Sequence, residues 1–210
     1  MRRRQFIGTL AAAAGASIIE VGQQSAFANT DWTGDTLDAF ADTIIPGVKR
    51  YGGDVAVAGA AAGPSGAATG YLTLLSAPQT GLGPLLDGIA ALLNTRSSAY
   101  AVLHGILLPP WRPPFVGLGF NHRCTVVSDL YQPDDPDRDL WAMMALLAGL
   151  AFDCAAHLNT ATAVSQSHPG LAWLGFPAPG ADGLWRFPDF SYGLVLAGTH
   201  PGTTSDGQPA

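Results

Sequence analysis

The sequence predicts a mostly α-helical fold, an irregular single-domain helical bundle with a long Gly/Pro/aromatic-rich C-terminal tail packed over it. Three observations predict this. Apolar residues recur at helical spacing in several segments between residues 36 and 164, and the alternation that marks strands is scarce. After Ser165 the periodicity gives way to glycine, proline and aromatic residues. The domain organisation that follows is a leader at 1–28, a helical domain at 29–165 and an irregular tail at 166–210 on the same domain.

The leader reads as an export signal. Arg3 and Arg4, followed by Gln5 and Phe6, fit the twin-arginine pattern, and a weakly apolar run to Ile19 follows. Ala26-Phe27-Ala28 supplies a small-x-small cleavage site, with Ala26 and Ala28 as the small residues. The apolar run falls short of the roughly 20 residues that a membrane span requires. The expectation is a chain exported by the twin-arginine translocase to the periplasm, cell envelope or exterior, with no stable membrane span.

Thr36–Ile45 places Leu37, Phe40, Ala41, Ile44 and Ile45 on one stripe, with Asp35 as N-cap and Pro46-Gly47 as the stop. Gly52–Gly70 reads as loop, leading to a short helix over Tyr71–Leu75. Leu82–Leu93 is predicted helical with Leu85, Leu86, Ile89 and Leu92 or Leu93 inward, and a further short helix covers Ser98–Leu108. Four prolines within Pro109–Pro114 make a stiff, extended connector, a spacer or, in the alternative, a recognition segment. Phe115–Tyr131 returns to helix and ends at an acidic turn over 132–137. Asp137 or Asp139 then caps the longest helix, Leu140 to about Val164, whose apolar content all round predicts a central, buried position. A short helix near Tyr192–Ala197 is expected in the tail.

Composition narrows the function classes. Removing residues 1–28 leaves 182 residues with seven basic and fifteen acidic side chains, a net charge of −8. So acidic a chain offers no electrostatic footprint for nucleic acid or anionic lipid. Charged residues are 12% of the whole sequence against 48% hydrophobic, a thinly charged surface suited to being covered by a partner. No Cys-x-x-Cys-His, Walker loop, complete dinucleotide fingerprint or Gly-x-Ser-x-Gly elbow occurs, so no cofactor is expected in this chain.

Some constellations remain. His122 lies on the Phe115–Tyr131 segment, and Asp153 and His157 stand four apart on the long one. Packed antiparallel, these segments would bring two histidines and a carboxylate together as an acid–base or metal-ligand set. The blander expectation is a buried Asp–His hydrogen bond. Cys124 and Cys154 are a candidate disulfide in an oxidising compartment. His168 and His200 each precede a proline and read as surface or capping residues. Trp173, Trp185, Arg186 and Phe187 are candidate partner-binding residues of the tail, or pins that hold it down.

The leader followed by Thr36-Leu37-Asp38-Ala39-Phe40-Ala41-Asp42-Thr43-Ile44-Ile45-Pro46-Gly47 resembles the small subunit (subunit 3, gamma) of gluconate 2-dehydrogenase and related periplasmic flavin dehydrogenases. Gly66-Ala67-Ala68 and Tyr71–Leu75 look like the second segment of that family. The resemblance covers about residues 1–95. Farther on, Leu171–Phe176, Gly183–Pro188 and His200–Thr204 look more like an uncharacterised actinobacterial family of exported proteins. The first resemblance implies a non-catalytic escort that binds, stabilises and co-exports a flavoprotein large subunit of the glucose-methanol-choline type, with FAD held by the partner. The alternatives are a stand-alone exported enzyme using His122, Asp153 and His157, or a small-molecule binding protein of the cell envelope.

Overall fold

The structure, a computed structural model, describes residues 30–49 and 62–178. The leader, most of the 52–70 loop, Trp185, Arg186, Phe187, His200 and the expected tail helix lie outside the described residues. Among those described the fold is helical, with no strand, in one compact arrangement. The helices are α1 (Thr30–Ile44), α2 (Tyr71–Ser76), α3 (Leu86–Leu103), α4 (Pro114–Gly117), α5 (Phe120–Leu130), α6 (Arg138–Cys154), α7 (Thr160–Ser165) and α8 (Pro169–Trp173). Single 3₁₀ turns cover Ala67–Thr69 and Gly83–Leu85.

The central helix is α1. It packs against α2, α3, α4, α5 and α6 at once. Leu37 and Ala39–Asp42 are buried, which is more than one face of the helix. The long helix expected at the centre is one-sided instead. Leu140, Trp141, Met144, Ala148 and Ala151 point inward, while Leu146 is 62% exposed. Phe40 of α1 meets Trp141 of α6 with ring centroids 5.6 Å apart, joining the two helices across the core.

Boundaries differ from the sequence expectation for local reasons. The first helix starts at Thr30, so Asp35 lies inside it rather than at its cap. Its added turns are held from outside: Thr33 Oγ1 donates to Asp87 Oδ1 of α3 at 2.7 Å. The two helices expected over 82–108 are one, α3, because Thr95, Ser97 and Ser98 return their hydroxyls to the carbonyls four residues back and leave the ladder intact. It stops at a Schellman motif: Gly105 is left-handed at φ +64°, Gly105 N–H donates to Val102 O, and Ile106 N–H donates to Ala101 O. The segment expected as one helix over 115–131 breaks at Leu118, which is extended, and Gly119. Asn94 of α3 fixes the upper piece by accepting Phe115 N–H at 3.0 Å while donating to Thr36 Oγ1 of α1 at 2.9 Å.

The long helix ends at Cys154, ten residues before the expected Val164. Ala155 turns left-handed there, and Asn159 caps a new helix, α7, by accepting Ala161 N–H at 2.9 Å. A small apolar cluster of Ala155, Ala163 and Leu171 then seats α7 and α8 on the end of α6. Gly170 lies so close to α6 that a Cβ there would run into the Phe152 carbonyl oxygen. Gly170→Ala is therefore expected to cost about 1–3 kcal/mol, read as a lowered unfolding midpoint in urea.

Candidate functional site

Three places carry polar or interfacial chemistry. The first is built on Asp42, fully buried on α1. Its Oδ1 accepts Ala67 N–H at 2.8 Å, so a carboxylate of one helix caps the 3₁₀ turn of another segment. Around it the chain comes very close to itself. A Cβ on Gly47 would collide with the Ser65 backbone, and one on Gly66 would lie 2.5 Å from Ala41 O. Arg123 of α5 is 5% exposed and feels the Asp42 charge. Burial pulls its guanidinium below the ordinary value, and Asp42 opposes that pull. The two segments that carry the resemblance, 36–47 and 66–75, thus meet at one buried carboxylate. That arrangement positions the backbone and is closed to solvent.

The second place holds His157 and His168, with ring centroids 5.5 Å apart. His168 is buried and caps α8: Leu171 N–H donates to its Nδ1 at 3.4 Å, and its Nε2 lies 3.0 Å from Thr69 O. The capping role agrees with the sequence, and the surface role does not. His157 lies over Gly70, where a Cβ would sit 2.5 Å from the ring.

The third place is exposed. From the last turn of α3 onward, Val102 is 81% exposed, Leu103 83%, Leu107 96% and Trp111 73%. Arg112 beside Trp111 is also exposed. Tyr100, Val102 and Leu103 sit on the last turn of α3, where Tyr100 stacks on the capping His104 at 4.2 Å and its hydroxyl pairs with His122 Nδ1 at 3.0 Å. The proline-rich connector presents Trp111 to solvent, and the exposed Val102, Leu103 and Leu107 lead into it.

The constellation of His122, Asp153 and His157 is not assembled. His122 pairs with Tyr100 and His157 with His168, and no group of three or more metal-ligating side chains forms among the described residues. The antiparallel packing that would join them is not formed: α5 packs chiefly on α1 and α3, and α6 on α1, α2 and α8. Helix α6 also ends before His157, so Asp153 and His157 do not share a helical face. Cys124 and Cys154, on these same two helices, are both free thiols, so the candidate disulfide is not formed. Trp173 is 58% exposed, and its ring fills the space over Gly63, where a Cβ would lie 2.8 Å away.

Sequence reasoning missed the electrostatic coupling of Arg123 to Asp42 and the exposure of Val102, Leu103 and Leu107. A signal existed for each. Arg123 shares a face with Val126, Val127 and Leu130, all buried, which marks an arginine directed into a core. Leu107 and Trp111 flank prolines, which cannot carry a helix that would turn them inward.

Residues 31–210 match the model of DUF5987, a family of unknown function. The chain belongs to this family. Searches of curated proteins and of solved structures returned no match. No helix among the described residues is long and apolar enough to cross a membrane.

Proposed function

We propose that this DUF5987 protein is a non-catalytic escort, an exported helical subunit that binds, stabilises and co-exports a flavin-dependent dehydrogenase or oxidase of the glucose-methanol-choline type. The observation that carries the reading is the exposed run Val102, Leu103, Leu107 and Trp111 with Arg112. Large apolar side chains exposed within one short stretch of chain suit an interaction surface, and tryptophan and arginine are among the residues favoured at binding hot spots. The Schellman stop at Gly105 and the prolines at 109, 110, 113 and 114 stiffen the segment, so little freedom is lost on docking. The twin-arginine pattern at Arg3 and Arg4 supports export in the folded state, as suits a chain that leaves together with a partner. FAD belongs to the partner in this reading, and the chain contributes contact area and shape. His122, Asp153 and His157, the residues of the alternative enzyme reading, do not form one metal-ligand group among the described residues.

Export provides a test. Replacing Arg3 and Arg4 by lysine in the native host is expected to hold both this chain and the flavoprotein in the cytoplasm, measured by immunoblot and by flavin-linked dye reduction in the exported fraction. Undiminished export of the flavoprotein alongside a retained escort would contradict the reading.

A further inference from the structure

The histidine pair belongs to none of this, and its surroundings are unusual. Two non-glycine residues among those described adopt a left-handed backbone, Ala155 at φ 48° and Ser167 at φ 55°. Each stands just ahead of one of the two histidines. Such a conformation costs on the order of 1 kcal/mol or more, and persists where surrounding structure demands it. Ser167 lies in a turn that closes α7, with Ser167 N–H donating to Val164 O and His168 N–H to Ala163 O, and this turn aims the His168 ring inward. A third left-handed residue, Gly70 at φ +83°, makes room for His157.

The hydrogen bonds fix the protonation state of His168. A backbone N–H can only donate and a carbonyl can only accept. Nδ1 must therefore hold a lone pair for Leu171 N–H, and Nε2 must carry the proton given to Thr69 O. The neutral ring joins α8 to the 3₁₀ turn that Asp42 holds from the other side. A second proton would go onto Nδ1, facing the Leu171 N–H it now accepts. His157 adds to the effect, because its Nδ1 is buried without a hydrogen-bond partner and a proton there would find no acceptor.

We infer that His157 and His168 form an acid-released latch: neutral, they hold α8 on the Ala67–Thr69 turn, and charged, they let it go. The elements packed on α8 are α6, α7 and that turn. Their ionisable side chains are Arg138, Asp139, Asp153 and Cys154 of α6, all exposed, while α7 and the turn have none. Tyr71, next along the chain, is committed to the core, its hydroxyl donating to Met144 O. No carboxylate among these is buried beside the pair to stabilise its charge. Burial and the neighbouring His168 both lower the pKa of His157. With a pKa lower when folded than when unfolded, the unfolded chain binds more protons. The stability from His157 is therefore complete above about pH 6.5 and is lost as pH falls from there toward the folded value. The latch does not depend on the escort reading.

Hydrogen exchange followed by mass spectrometry on the full chain, corrected for the intrinsic pH dependence of exchange, tests it. Between pH 7.5 and 5, amides of 168–176 should lose protection about tenfold or more, while those of α3 keep theirs. Unchanged protection of 168–176 would overturn the latch. His168→Asn keeps a side-chain acceptor for Leu171 N–H but cannot titrate, so its loss of protection on acidification should be smaller than in wild type, with only His157 left to charge. A response equal to wild type would overturn the assignment to His168. A histidine NMR titration of the unmutated protein supplies a check free of any folding defect in the variant. It should show His168 as the Nε2–H tautomer at neutral pH, and an Nδ1–H tautomer would also refute the latch.

Discussion

Asp42→Ala should lower the stability of the chain by about 3–5 kcal/mol, the cost of leaving a buried charge without its counterpart. At this size each kcal/mol moves the melting temperature by roughly 2–4 °C, so the loss is visible in a single thermal scan. The magnitude follows from two simultaneous losses: Ala67 N–H loses its acceptor at 2.8 Å, and the buried Arg123 guanidinium loses the charge that opposes its desolvation. Asp42→Asn separates them, because the amide oxygen still accepts from Ala67 while the charge is gone. It should fall between wild type and Asp42→Ala. Adding Arg123→Met to Asp42→Asn removes the uncompensated cation and should restore part of the loss. A melting temperature for Asp42→Ala within error of wild type would mean that the carboxylate does not organise this region.

The second large effect concerns binding rather than folding. Leu107→Asp combined with Trp111→Ala should leave the unfolding free energy within about 0.5 kcal/mol of wild type, because both side chains stand in solvent. Partner capture should fall more than tenfold, since one buried tryptophan anchor is typically worth about 2 kcal/mol or more at an interface. Affinity against a purified partner, measured by biolayer interferometry, gives the first number and urea unfolding the second. Equal loss of both would relocate these residues from an interface to the fold. Unaltered affinity would remove the exposed run from the account.

Much of the helical content was legible because it rests on local pattern. The stripe through Leu37, Phe40 and Ala41, the stop at Pro46-Gly47 and the inward set Leu86, Ile89 and Leu93 all follow from spacing and proline chemistry, and the structure keeps them. The misread features depend on contacts distant in sequence. The long helix has apolar residues around its circumference, yet the position at the centre went to α1, which touches five other helices. The polar stretch Asn94–Ser98 looks like a break until its hydroxyls return to their own helix. Asn94 becomes a junction only once α1 and α4 lie beside it. Asp153 and His157, four apart, mimic a helical pair, and only the left-handed turn at Ala155 separates them. His168, assigned to surface or cap, proves a buried cap because Thr69, far away in sequence, supplies a carbonyl for its second nitrogen. The candidate site suffered most, because exposure is not a local property. Val102, Leu103, Leu107 and Trp111 have the composition of a core segment and the accessibility of an interface.

The escort role is tested most directly by purifying the tagged full-length chain from its native host under mild conditions and recording the absorbance spectrum of the eluate beside its gel. The account predicts a second, larger polypeptide in a constant ratio to this chain, with flavin absorbance that follows it through size exclusion. A single colourless polypeptide, recovered from the exported fraction at normal yield, would contradict it.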